Sequence, residues 1–296
     1  MLTHRNPDPR LPTRIVILGR DGFVPSVLRR DAEKRGLPLL VLGSAALDLT
    51  DPSSVGKLTG ELKAGDALVM TAALTPEKGR DIPTLVRNLR MAEHVAAAVA
   101  ARPCAQLVYF SSDSVYGWDT SDLSEETPPS PDNLYGVMHL AREIALREAT
   151  AKAGVAFCVL RPCAIYGARD THNAYGPNRF VRSALSSGRI EVFGDGDDIR
   201  DHIHVDDVVR VTWLAVEHGS SGILNLAGGQ PVTFAHVAAE IVRLAGRLVT
   251  VVPVKRAGKA TRRTFSTQAT ASAFPSYSPV PLSSGLAQMI SELRGS

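Results

Sequence analysis

Several things that would mark a specialised protein are scarce or missing. The three cysteines, Cys104, Cys158 and Cys163, are an odd number without metal-type spacing. That argues against a disulfide framework and against a Cys-rich zinc site, and suits a reducing compartment. No run of about 18 apolar residues occurs, so no membrane span is expected. The opening MLTHRNPDPRLPTR has charge and proline but no apolar stretch to act as a secretion signal, and the protein is expected in the cytoplasm. The net charge is only +3, and Lys and Arg alternate with nearly as many Asp and Glu. Without a concentrated basic face or a stacking motif, nucleic acid is not an expected partner. There is no internal repeat.

What is present is an ordinary globular composition, 44% apolar and 21% charged, over 296 residues. Short apolar runs alternate with segments of helical period: RIVILG, PLLVLG, DALVMTAA, QLVYFSS and AFCVLRP, with helices between them. Continuous apolar strands separated by helices are buried on both faces, which predicts a parallel sheet with right-handed crossovers. The expected class is α/β, a doubly wound Rossmann-type sheet. After Pro162 the loops lengthen and gain Gly, Asn and charge, which suggests a smaller module on the open end of the sheet. The expected division gives 1–167 and 201–228 to the dinucleotide-binding domain, and 168–200 and 229–296 to a substrate-binding subdomain. Residues 255–275, rich in Ser, Thr and Arg, read as a partly extended surface segment.

ILGRDGFVPSVL places Gly19 and Gly22 between a strand and a helix, where backbone N–H groups would face a pyrophosphate; Arg20, Phe23 and Val24 fall in the same turn. The third position of the usual glycine pattern is Pro25. The second strand ends in VLGSAALDLTD, without the acidic residue that would hold an adenosine ribose. Gly43 and Ser44 leave room for a 2′-phosphate that Arg20 would pair with, although Asp21 next door opposes it; NAD and NADP both stay open. In VYFSSDSVYG, Ser112 precedes Tyr135 by 23 residues. A hydroxyl at a strand end and a tyrosine at a helix start suit proton exchange and hydrogen bonding at one carbinol oxygen.

With GRDGF, LDLTD, TAA at 71–73, Asn88, SSDSVYG, LYGVMH, LRPCAIYG and IEVFGDGDDIRDHIHVDDVV, the chain resembles the extended short-chain dehydrogenase/reductases. More narrowly, it resembles the NAD-dependent epimerase/dehydratase group acting on nucleotide sugars. The resemblance implies Ser112 and Tyr135 as catalytic, Asp48 and Leu49 by the adenine, Ala72 and Ala73 by the phosphates, and Pro162 behind the nicotinamide. It implies Asn88 among the cofactor-site residues, Arg200 toward a substrate pyrophosphate, and Asn178 near the nucleotide; apart from the resemblance, Arg256, Arg262 and Arg263 read either as diphosphate contacts or as a solvated basic segment. It also implies a homodimer formed through the helices near Asn88 and Tyr135. The RDHIHVDD stretch is structural in that family, so no metal is expected.

The family's Lys, which holds the nicotinamide ribose and lowers the tyrosine pKa, falls on His139. At i+4 from Tyr135 this residue shares its helix face. Its ordinary pKa is about 6.5 against about 10 for a tyrosine, so activity is expected to rise as His139 is protonated. The resembling dehydratases carry an Asp-Glu pair after the hydroxyl; here it is Asp113 and Ser114, which disfavours water elimination. Two readings stand: an oxidoreductase that epimerises or reduces at the sugar C4, or a dinucleotide-binding or regulatory protein whose departures at Pro25 and His139 mark lost catalysis.

Overall fold

The computed structural model describes residues 2–118, 120–170, 173 and 176–295. Five parallel strands, β1 (Arg14–Leu18), β2 (Leu39–Leu42), β3 (Asp66–Met70), β4 (Gln106–Phe110) and β5 (Ala156–Pro162), alternate with α1 (Phe23–Lys34), α2 (Ser54–Glu61), α3 (Ile82–Ala101) and α4 (Leu134–Ala153). Next come β6 (Ala164–Tyr166), α5 (Gly176–Ser187), β7 (Arg189–Phe193), β8 (Ile199–Arg200), β9 (His202–His204), α6 (Val205–Glu217) and β10 (Gly222–Leu226). The chain ends with β11 (Val232–Thr233), α7 (Phe234–Leu244), β12 (Thr250–Val254), β13 (Arg262–Arg263), α8 (Gln268–Ala273) and α9 (Leu282–Gly295).

The main sheet has the order β10-β5-β4-β3-β1-β2, all pairs parallel. The doubly wound expectation follows from its runs: alternate residues of one strand serve opposite cores. Ile15, Ile17, Val69, Val108 and Leu160 face the layer of α1 and α6, while Val16, Leu18, Leu68, Met70 and Tyr109 face that of α2, α3 and α4. The chain steps from β1 out to β2 and returns on the other side of β1 to β3, so the switch point lies between β1 and β3. A crevice beyond their carboxyl ends is where such sheets bind ligands.

A separate apolar cluster joins Tyr166, Phe180, Ile190, Val237, Leu286 and Met289, from β6, α5, β7, α7 and α9. The 255–275 segment departs from its expected surface character. Arg263, Thr264 and Phe265 are buried, β13 pairs with β8, and Phe265 and Phe274 enter the main core. Its Ser and Thr content conceals this, because hydroxyls find partners far away in sequence, such as Thr264 donating to Asp122 at 2.6 Å.

A buried ion pair fixes α4 to the sheet. Arg161 of β5 donates through Nε and Nη2 to Glu143 at 2.9 and 2.6 Å, and both side chains are nearly inaccessible. The same carboxylate accepts from Ser111 Oγ at 2.5 Å, while Arg161 Nη1 donates to Tyr116 Oη, which donates to Asn225 of β10. Removing one member leaves a buried charge unpaired. Arg161→Met should therefore lower unfolding free energy by about 3–5 kcal/mol in urea denaturation, and Glu143→Leu added to it should recover part of the loss. Equal stability of the single variant and the wild type would count against this account of the pair.

Candidate active site

Gly19 closes β1 with φ +115, and a Cβ there would lie 2.4 Å from Thr71 Oγ1. Thr71 in turn donates to Leu18 O through both its N–H and its hydroxyl. Only glycine permits this conformation and this approach, so the turn at 19 and the loop after β3 meet at the switch point. Gly22 caps α1 in an extended conformation, and Phe23, the first helical residue, packs under Gly167. Pro25 is buried in the first helical turn, against Gly22, where a helix has no internal use for its N–H. It therefore stiffens the turn and leaves the Phe23 and Val24 amides in place. Arg20 is exposed, lies across Gly43 and approaches Asp21 at 3.7 Å.

The second wall is the loop carrying Ala72 and Ala73. Asn88 of α3 clamps it, accepting from Leu74 N at 2.9 Å and donating to Leu74 O at 3.0 Å. Arg142 Nη2 donates to Ala72 O at 2.8 Å. Asp48 is exposed and closes a turn on Thr50, while Leu49 is buried and its carbonyl meets His94 Nδ1. Pro162 ends β5, buried.

Ser112 follows β4 and caps a 3-10 turn, Asp113–Val115. Its Oγ accepts from Ser114 N and donates to Ser114 Oγ, both at 3.1 Å. The first turn of α4, capped by Asn133, packs on that turn so closely that a Cβ on Gly136 would sit 2.0 Å from Ser114 O. The neighbour of Gly136 is Tyr135, half-buried beside the turn that carries Ser112. Burial raises the Tyr135 phenol pKa, Asp113 and Glu77 add to that, and the Arg142 guanidinium works against it. Asp113 is itself tied down: Arg263 Nε donates to its Oδ2 at 2.8 Å.

His139 differs from expectation. It is 2% exposed, edge-on to the Tyr135 ring at 4.6 Å, with Nδ1 2.7 Å from Tyr109 Oη. Burial first, and the Arg142 charge second, push its pKa well below the ordinary value, so it stays neutral. A gain of activity through its protonation is not what this environment supports. Burial also keeps the Tyr109 phenol protonated. With the phenol donating to Nδ1, the ring proton sits on Nε2, a buried donor without a partner.

Toward the smaller cluster, Arg200 donates to Ile199 O, Thr261 O and Thr261 Oγ1, with Asp198 at 3.8 Å. Trp118, exposed, has the guanidinium carbons of Arg200 and Arg263 at 5.5 and 5.0 Å from its ring. Arg256 is paired with Asp197 and Asp198. The Asn178 amide is spent on structure rather than turned to a nucleotide: it accepts from Gly167 N at 3.0 Å and donates to Asp170 at 2.8 Å. In the resembling family sugar choice would depend on the stretch around 168–180, of which residues 171, 172, 174 and 175 lie outside the described residues. Among the described residues no cluster of three or more His, Cys, Asp or Glu could hold a metal ion. Sequence reasoning missed Arg142; its signal was a third polar residue, at i+7, on the stripe of Tyr135 and His139.

A glycine turn and a clamped loop at the switch point of a parallel sheet define a dinucleotide-binding protein of the Rossmann class. The chain belongs to the NAD dependent epimerase/dehydratase family, whose model matches residues 15–227. It is 31% identical over 231 residues to the GDP-6-deoxy-D-mannose reductase of Pseudomonas aeruginosa, covering 73% of this chain and 75% of that protein. To an uncharacterized UDP-glucose epimerase of Bacillus subtilis it is 26% identical, over 57% of this chain and 54% of the relative. The solved structure of RMD from Pseudomonas aeruginosa complexed with NADPH superposes with TM-score 0.83 at 26% identity, covering 96% of this chain and 99% of that one.

Asp201, which follows Arg200, is 2% exposed, and burial pushes its carboxyl up to about 6. A carboxyl raised above its unfolded value favours folding at low pH and costs stability as pH rises through that value. Asp201→Asn should match the wild type near pH 4 and exceed it by about 1–3 kcal/mol at pH 7 in chemical denaturation. A wild type that gains on the variant over that interval would reverse the sign and sink the assignment.

Proposed function

We propose that this protein is an NAD(P)-dependent oxidoreductase acting at the C4 carbinol of a nucleotide-linked sugar, by 4-epimerisation or 4-keto reduction. The observation that carries the reading is the contact of Gly136 with Ser114 O, which puts Tyr135 against the Ser112 turn at the carboxyl end of the sheet. Tyr135 exchanges the carbinol proton and the Ser112 hydroxyl hydrogen-bonds the same oxygen. The residues fit a nicotinamide dinucleotide: Gly19 and Gly22 leave its pyrophosphate room, Asn88 and Arg142 hold the loop beside it, and the unmet His139 Nε2 donor suits a ribose hydroxyl. Bound there, the dinucleotide supplies the hydride acceptor and donor. Arg20 across Gly43 suits a 2′-phosphate, which favours NADP.

Elimination is disfavoured by the same residues. Ser114 stands where a second carboxylate would act as base, and Asp113 is committed to Arg263. The arginines around Trp118 supply positive charge for a substrate diphosphate. A homodimer through α3 and α4 is supported by the apolar side chains these helices leave uncovered: Ile82, Val86, Leu134, Val137 and Ile144.

Tyr135→Phe should lower kcat by about 10²–10⁴ with NADPH binding retained, and Ser112→Ala should lower it less, in assays on UDP- and GDP-linked sugars. Full activity of the Phe variant would refute the assignment. Ile144→Glu should halve the mass found by sedimentation while the far-ultraviolet spectrum is kept; an unchanged mass would move the interface elsewhere.

A further inference from the structure

In the reading above Arg142 of α4 serves only as a hydrogen-bond donor to the loop at Ala72, and its charge is not used. Arg142 is 0% exposed, and its hydrogen-bond partners among the described residues are all neutral. Its contacts are Ala72 O at 2.8 Å, Asn88 Oδ1 at 3.5 Å and the sulfurs of Met138 and Met70 at 3.6 Å, and its Nε has no partner. The guanidinium carbon lies 5.2 Å from the centre of the Tyr109 ring. A buried cation with only neutral partners is costly, and it becomes favourable when a negative charge develops nearby.

The direction of the side chain says where that charge would be. Helical side chains lean back toward the amino terminus, and the contact with Met138 shows Arg142 doing so, along the stripe of His139 and Tyr135. His139 occupies the space between and carries no charge of its own, held by Tyr109 on one nitrogen.

We propose that Arg142 is a positioning residue of this active site, a buried cation that favours the phenolate of Tyr135 through the protein interior, while neutral His139 supplies only a hydrogen-bond donor. The proposal rests on Tyr135 being the proton-exchanging group. The other groups facing Tyr135 are Asp113, from the turn after β4, and Glu77, from the loop after β3, both negative and both opposing its ionisation, and His139 on α4. Tyr109 of β4, protonated, stands behind His139. Among the described residues Arg142 is the cation acting in the other sense. In a medium of low dielectric such a charge is felt well beyond contact distance.

The test reads the phenol directly. A tetrafluorinated tyrosine placed at position 135, whose phenol is several units more acidic than that of tyrosine, brings the midpoint of ionisation into the neutral to alkaline range, where ¹⁹F NMR follows it without substrate or cofactor. Arg142→Gln keeps a donor for Ala72 O and removes the charge; Arg142→Lys keeps the charge. The Gln variant should show about tenfold less phenolate at a given pH, a shift of about one pKa unit, and the Lys variant should stay within about threefold of the wild type. His139→Lys added to Arg142→Gln should restore the phenolate. If Gln at 142 prevents folding, Arg142→Met, of similar length and lying between two methionines, takes its place. Unchanged ionisation in a folded, uncharged variant overturns the proposal, as does an equal loss in the Lys variant. Since no turnover is read, a failure here leaves the oxidoreductase reading standing, and inactivity on every sugar leaves this measurement intact.

Discussion

The pairing of Glu143 with Arg161 is the constraint on which the site depends. It joins α4 to β5 through two buried side chains, and through Ser111 and Tyr116 it reaches the end of β4 and the edge strand β10. The stripe of Tyr135, His139 and Arg142 precedes Glu143 on the same helix. Its position against the Ser112 turn is therefore set by a bond made two turns away. Such a pair adds little net stability over an apolar substitute, but it admits one arrangement of helix and strands.

Glycine marks where the backbone itself does the positioning. At Gly19 a positive φ and the nearness of Thr71 bring together the two loops at the switch point, and at Gly136 a carbonyl occupies the space of a side chain. Proton exchange at a carbinol carbon needs two hydroxyls within reach of one oxygen, and these approaches bring their backbones together. Asp113 is tied down by Arg263, 150 residues further along the chain.

The sheet was legible because its strands are unbroken apolar runs, and a parallel sheet with helices on both faces is the arrangement that buries them. Ser112 and Tyr135 were legible from their motifs. The state of His139 was not: sequence places it one turn from Tyr135 but says nothing of Tyr109, 30 residues earlier, or of the burial that keeps the ring neutral. Arg142 was missed because a charged residue on a helix is usually solvated, and only the fold shows the guanidinium enclosed between Met70 and Met138. The tail around Arg263 was misread for the converse reason, since its polar residues find partners inside the fold. The Asn178 and Arg256 side chains are engaged by protein groups, Asp170 and Gly167 for the one and Asp197 and Asp198 for the other, which the sequence does not show.

The central claim is that the turn at Gly19, the clamped loop at Ala72 and the His139 donor together hold a nicotinamide dinucleotide. The direct measurement is a titration of the protein with NADPH and with NADH, following nicotinamide fluorescence. Saturable binding in the micromolar range by at least one of them, NADPH the tighter, is the predicted result. Absence of binding by both into the millimolar range would contradict the account and leave a Rossmann fold without its cofactor.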